Sequence, residues 1–215
     1  MKLKKWLNYY HFTKNVLVND KIVKDNYILK DNDIIKVNGN EYIFKENIYI
    51  ILNKKAGYVS AIKDNLYPSI LELIDDPYLK DNLKIAGRLD LDTEGLIILT
   101  NDGEMIHLLT SPKKRIQKKY YVEAKEKIVL KDEIIINDDG ENIRVYPKID
   151  IIDDYHMYIT LTEGKYHEVK KILFALDNEV LYLKRVQIGK INLDGLNIGE
   201  YKKIEKEELI RMLNE

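Results

Sequence analysis

Cysteine is missing from all 215 residues. That removes disulfides, thiolate nucleophiles, Cys-ligated zinc and iron–sulfur clusters together, so any catalyst here must use oxygen or nitrogen groups. An apolar leader is missing too: the start, Met1-Lys-Leu-Lys-Lys-Trp-Leu, is positively charged, but Asn8 and His11 interrupt it. No later run approaches the ~18 apolar residues of a membrane span. We therefore expect a cytoplasmic protein with no membrane partner. Net charge is nearly absent, with 35 Lys and Arg against 36 Asp and Glu, so the total gives no sign of a polyanionic partner. No solenoid-type repeat or low-complexity tract is visible.

What is present suffices for a core: 45% of the chain is hydrophobic and 33% charged, which suits one or two domains. The charge is unevenly spread. Ser111 to Lys125 holds six basic residues (Lys113, Lys114, Arg115, Lys118, Lys119, Lys125) against Glu123, a local net of +5. Lys131 to Asp154 holds three basic and eight acidic residues, a local net of −5. Such asymmetry fits one face turned to an anion and another turned away, and equally two solvated faces of opposite sign.

The pattern predicts a short amphipathic helix over Lys2 to Tyr10, then two hairpins turning at Asn19-Asp20 and Asn38-Gly39. At about 45 residues this unit is marginal as an independent fold, so it reads as an appendage, with a boundary near Lys45. Beyond it the sequence predicts a strand Ile48 to Leu52, a helix Ser69 to Ile74, and a strand Leu96 to Thr100. A helix Glu104 to Leu109 stopped by Pro112 follows, then strands at Lys118 to Ala124, Ile134 to Ile136 and Met157 to Leu161. Short strands with hairpin-like turns and few helices indicate an α+β fold with a mixed, largely antiparallel sheet and flanking helices.

The densest chemistry lies in Gly87-Arg-Leu-Asp-Leu-Asp-Thr-Glu-Gly95. Asp90, Asp92, Glu94 and Gly95 match the opening of a calcium loop, but the twelfth position, which should be a bidentate Glu, is Asn101, and a strand follows where a helix should. We expect no metal here. Two readings remain open: Asp90 as a working carboxylate on a loop, with Arg88 near enough to meet a phosphate, or a solvated turn in which the two pair with each other. Val169, Ile172, Leu173 and Leu176 form the buried stripe of a helix. Lys170 borders that stripe and Lys171 lies on the water side. Lys170 is thus the better candidate for a pocket, the alternative being a lysine snorkelling at the core's edge. His167-Glu168 begins like a zinc-protease helix, but position 171 is Lys and the second ligand is missing. Alternation on Lys118 to Ala124 puts Tyr120, Val122 and Ala124 on one face, where a tyrosine is usually core.

Over its full length, from Gly87 through Leu96-Ile-Ile-Leu-Thr to Asn101-Asp-Gly103, the motif resembles the signature of the RsuA-like rRNA pseudouridine synthases. Leu52-Asn-Lys-Lys-Ala-Gly-Tyr-Val-Ser60 resembles the family's Asn-Lys-Pro-x-Gly-x-x-Ser segment, with Lys55 in place of Pro. Lys118-Lys-Tyr-Tyr-Val122 is similar to its Lys-x-Tyr-x-Val strand, and Glu163-Gly-Lys-Tyr-His-Glu-Val-Lys-Lys171 to its third motif. Leu183-Lys-Arg-Val-Gln-Ile-Gly189 and Gly199-Glu-Tyr201 match the closing segment. The amino-terminal part resembles a truncated ribosomal-protein-S-four type RNA-binding module, its second helix shortened to about His11 to Asn15. The division that follows is residues 1–45 for the module and 46–215 for the catalytic domain.

The resemblance implies a cofactor-free isomerase that detaches one uracil, turns it, and rejoins it through carbon 5. It implies Asp90 as the catalytic carboxylate, as nucleophile or as base at the ribose, with Lys170 as its cation and Tyr120 stacked on the uracil. Arg88 would hold or replace a flipped nucleotide. Lys54, Lys118, His167, Leu183 and Arg185 would complete the substrate site. The partner would be rRNA or a ribosomal subunit precursor, bound by a monomer. Tyr166-His167 is closer to the small-subunit branch of the family than to the large-subunit ones. The alternatives are a large-subunit rRNA synthase and a non-catalytic RNA-binding assembly factor.

Overall fold

The computed structural model describes residues 1–13 and 16–214. Helix α1 (Leu3–Tyr9) buries Leu3, Trp6 and Leu7, the i, i+3, i+4 stripe of its short sequence. A four-stranded antiparallel sheet follows, ordered β2 (Lys21–Ile22), β1 (Leu17–Val18), β3 (Ile34–Val37), β4 (Asn40–Ile43). Its hairpins turn on Asn19-Asp20 and Asn38-Gly39, all with positive φ, the geometry whose twist matches that of paired strands. The second helix expected at His11 to Asn15 does not form where it is described: His11 has a φ of 56° and Phe12 and Thr13 are not helical. Lys14 and Asn15 lie outside the described residues.

The remaining elements are β5 (Tyr49–Lys54), a 3-10 turn (Ile70–Leu73), α2 (Pro77–Asn82), β6 (Lys84–Ala86), β7 (Glu94–Thr100) and α3 (Gly103–Thr110). They continue with a 3-10 turn (Pro112–Lys114), β8 (Lys118–Ala124), the hairpin β9 (Ile134–Asp138) and β10 (Glu141–Val145), β11 (Lys148–Ile151), β12 (His156–Leu161) and α4 (Glu168–Ala175). The chain closes with β13 (Val180–Ile188), β14 (Ile191–Asn192), β15 (Tyr201–Lys203) and α5 (Lys206–Asn214). The main sheet runs β11-β12-β8-β13-β7-β5-β15, with β14 beside β13 and β6 beside β7. Every pairing in it is antiparallel except β7 with β13. This is the mixed, largely antiparallel α+β sheet that the sequence predicts.

Burial on both faces explains why β5 and β7 read as continuous apolar runs rather than alternating ones. Ile50, Leu52, Ile97 and Leu99 enter one cluster, with Val169, Ile172 and Leu173 of α4 and Tyr78 and Leu79 of α2. Tyr49, Ile51, Leu96 and Ile98 enter a second, under Met105 and Leu109 of α3 and Leu209 of α5. The first cluster also takes in Leu3, Trp6, Val18 and Phe44, so one core runs from the amino-terminal sheet into the main sheet. The two meet on α2: the Tyr9 and Tyr78 rings lie edge to face at 5.5 Å, and the Tyr10 hydroxyl donates to Asp76 at 3.0 Å.

Candidate active site

Asp90 sits in the loop between β6 and β7, and that loop is held by its own backbone. Ser60 Oγ donates to the Leu89 carbonyl at 2.8 Å and accepts from the Leu89 amide at 3.0 Å. Gly57 N–H donates to the Leu91 carbonyl at 2.8 Å, and Thr93 N–H to the Asp90 carbonyl at 3.2 Å. The Lys54 ammonium, wholly buried, donates to the carbonyls of Lys55, Leu91 and Thr93, the last at 2.7 Å. Burial pushes its pKa down to about 8, against the pull of the Asp92, Asp90 and Glu94 carboxylates. Arg185 reaches the Arg88 carbonyl at 3.4 Å.

The loop forms one wall of a cleft of about 780 Å³, lined among others by Arg88, Asp90, Tyr120, His167, Lys170 and Arg185. From the facing wall, Lys170 of α4 brings its ammonium 3.4 Å from Asp90 Oδ2, and His167 its Nε2 3.5 Å from Asp90 Oδ1. Lys170 is bound more tightly by Asp92, at 2.7 and 2.8 Å. Burial pulls the Lys170 pKa down, but Asp92 and Asp90 outweigh it and hold it above its ordinary value. Burial likewise works to raise Asp92, and the Lys170 hydrogen bond and charge overcome it and keep that carboxylate low. His167 adopts a left-handed φ of 53° as the cap of α4 and stacks on Tyr166 at 3.8 Å. The floor is the buried face of β8 and β13. Tyr120 stands directly opposite Arg185 in the ladder, and Lys118 and Leu183 line the same cleft.

Of the residues singled out in the sequence, Asp90, Tyr120, Lys170, Arg88, Lys118, His167, Leu183 and Arg185 converge on this cleft, and Lys54 does not. Lys54 requires correction as a substrate-binding residue: its amine is spent on backbone carbonyls beneath the Asp90 loop. Lys171 requires another. Its side chain is 22% exposed, less than the 29% of Lys170, and is held by Asp138 at 2.8 Å. The β9–β10 hairpin lies over that side of α4, so the face that a lone helix would turn to water is covered. The sequence marks Asp92 only as a would-be calcium ligand. Its work, holding Lys170 from 78 residues away, carries no local signal. The third carboxylate of the apparent calcium loop, Glu94, instead accepts from the Tyr182 hydroxyl at 2.7 Å.

Gly95 has its own geometric reason. With φ at +105°, an added Cβ would collide with the Arg185 carbonyl oxygen and fall 2.8 Å from its amide nitrogen, where β7 and β13 run side by side. The close approach sets Arg185 against the Asp90 loop.

Sheet, motif loop and carboxylate-centred cleft together define the pseudouridine synthase class, and residues 48–175 match the profile of the RNA pseudouridylate synthases. A solved structure described as a pseudouridylate synthase superposes with a TM-score of 0.70 at 31% identity, covering 99% of both chains. The chain belongs to this family and to its RsuA-like type. It is 35% identical to an uncharacterised RNA pseudouridine synthase of Bacillus subtilis, over 93% of this chain and 88% of the relative. It is 36% identical to the ribosomal small subunit pseudouridine synthase A of Haemophilus influenzae, over 92% and 88%. The protein is an isomerase that acts on RNA.

Proposed function

We propose that the enzyme isomerises one uridine of small-subunit rRNA, with Asp90 as its catalytic carboxylate. The observation that carries this reading is the meeting of Asp90, Lys170 and Tyr120, from three separate stretches of chain, in one cleft. Asp90 acts at the ribose, as nucleophile at C1′ or as base. Lys170 balances its charge, and Tyr120 lies against the uracil. The C1′–N1 bond breaks, the base turns, a C1′–C5 bond forms, and the proton leaves carbon 5 and ends on N1. The uridine must leave its stack at a cost of a few kcal/mol. Arg88 and the exposed Lys113, Lys114 and Arg115, next to Pro112 at the cleft's rim, offset this cost by binding phosphates.

The small subunit is supported by the name of the Haemophilus relative and by Tyr166-His167 in the third motif. Residues 1–45 serve as an RNA-docking module fixed against α2, and residues 46–215 as the catalytic domain. The protein works in the cytoplasm as a monomer, without metal or cofactor. Chemical mapping of pseudouridine in rRNA from cells with and without the gene tests the reading. We expect one small-subunit site to vanish and to return with the wild-type gene but not with Asp90→Asn. Unchanged rRNA, or a lost site in large-subunit rRNA, would overturn it.

A further inference from the structure

Arg185 is 3% exposed, and its guanidinium is only partly used. Nε donates to the Leu96 carbonyl at 2.7 Å and Nη1 to the Arg88 carbonyl at 3.4 Å, while Nη2 is buried with no hydrogen-bond partner. Among the described residues no carboxylate pairs with it. A buried cation without a counter-ion is strongly disfavoured, and an orphaned buried N–H calls for an explanation. A second cation lies on the same floor. Lys118 donates to the Ile116 carbonyl, at 3.3 Å, and burial, reinforced by the Arg185 charge, outweighs the opposing pull of the Glu168 carboxylate and pushes its pKa down.

We propose that Arg185 and Lys118 form a subsite for the negative charge of the detached uracil, whose carbonyl oxygens they bind. The inference rests on Asp90 working at the ribose, which leaves the β8–β13 floor to the base. Tyr120 directly across from Arg185, with Leu161, Leu183 and Ile188 around it, makes an aromatic and apolar wall that suits a flat ring better than a hydrated phosphate. When the C1′–N1 bond breaks, its electron pair stays with the base, and the charge spreads over N1, O2 and O4. It is consumed when carbon 5 bonds to C1′ and its proton passes to N1. Donors fixed in a buried site stabilise charge that develops there without having to reorganise.

The test is single-turnover kinetics at saturating enzyme, on RNA with uridine at the target and on the same RNA with 5-fluorouridine there, following loss of the N1-linked nucleoside. Fluorine withdraws electrons and makes the base a better leaving group. Arg185→Gln should lose about 10²–10³-fold on uridine, and Lys118→Met on the order of tenfold, with little change in KM. Both losses should shrink severalfold on the fluorinated RNA. Full rates in both variants, equal losses on the two RNAs, or a loss confined to KM would each overturn the proposal, the last pointing to a phosphate instead. Lys118, bonded to one carbonyl, carries the test even where Arg185→Gln fails to fold. An Asp90→Asn enzyme that remains active would remove Asp90 from the reaction instead, a separate result.

Discussion

The wall of the cleft that carries Asp90 is tied to the body of the protein through its backbone. Lys54, Gly57, Ser60 and Arg185 bind carbonyls at Arg88, Leu89, Leu91 and Thr93. The facing wall, from Glu163 to Lys170, leans on side chains: Lys170 on Asp92, Lys165 on Glu163, and His167 on a Tyr166 ring that is 65% exposed. Backbone anchors hold a reacting group still. Side-chain pairs can be exchanged when a substrate enters. The Asp90 wall is thus the more rigid of the two, and the wall from Glu163 to Lys170 the more adaptable.

Removing the carboxylate alone is the sharpest way to break this comparison. Asp90→Asn keeps the loop's backbone bonds, so it should fold with an unchanged melting temperature while single-turnover pseudouridine formation falls by about 10⁴-fold or more. Near wild-type release of tritium from carbon 5 would remove Asp90 from the chemistry.

Next in size is the contrast of Lys170→Met with Lys54→Met. The first should lower the rate about 10²–10³-fold and leave stability within about 1 kcal/mol, because its partners are half-exposed. The second should destabilise by about 2–4 kcal/mol and also slow the reaction, since carbonyls under Asp90 lose their donor. Equal stability losses in urea unfolding would erase the distinction between the walls. Lys54 adds a pH signature. Its folded pKa of about 8 lies below the ordinary 10.5. Between these values the unfolded chain keeps a proton that the folded chain has released, so the residue's contribution to stability rises with pH there. From pH 8 to about pH 10, wild type should gain on Lys54→Met by at most about 2–3 kcal/mol; a gap that narrows would show that the amine is not buried as described.

Gly95→Ala should cost about 2–4 kcal/mol, because both the positive φ and the Arg185 backbone stand against a Cβ. A melting temperature equal to wild type would mean that β7 and β13 can part cheaply. The smallest effect is expected at the rim. Replacing Lys113, Lys114 and Arg115 together should flatten the salt dependence of RNA binding, by up to about 0.7–0.9 in log K per log salt for each phosphate that is no longer neutralised, with chemistry at saturation intact. A full salt slope in the triple variant would turn that stretch away from the RNA.

Local signals carry far in this chain. Two-residue turns of Asn, Asp and Gly fix hairpin geometry by themselves, and Asn19-Asp20 and Asn38-Gly39 are legible for that reason. The apolar stripe of α4 and the alternation on β8 announce their buried faces. Chemical identity is legible as well, because Gly87 to Gly103 is continuous in sequence. Where a helix is covered, or that Asp92 binds Lys170 more closely than Asp90 does, is not. Periodicity sends Lys171 to water, yet the β9–β10 hairpin covers it. Asp92 and Lys170 meet across 78 residues, and Lys54 reads like any charged residue until β5 is buried on both faces. Sequence by itself determined the hairpin turns, the strands of clear periodicity and the motif residues, whose forces act within a few positions. Tertiary structure alone decided that one lysine holds the backbone, another the carboxylates, and that an arginine keeps a nitrogen free, because burial and long-range pairing exist only once the sheet has closed.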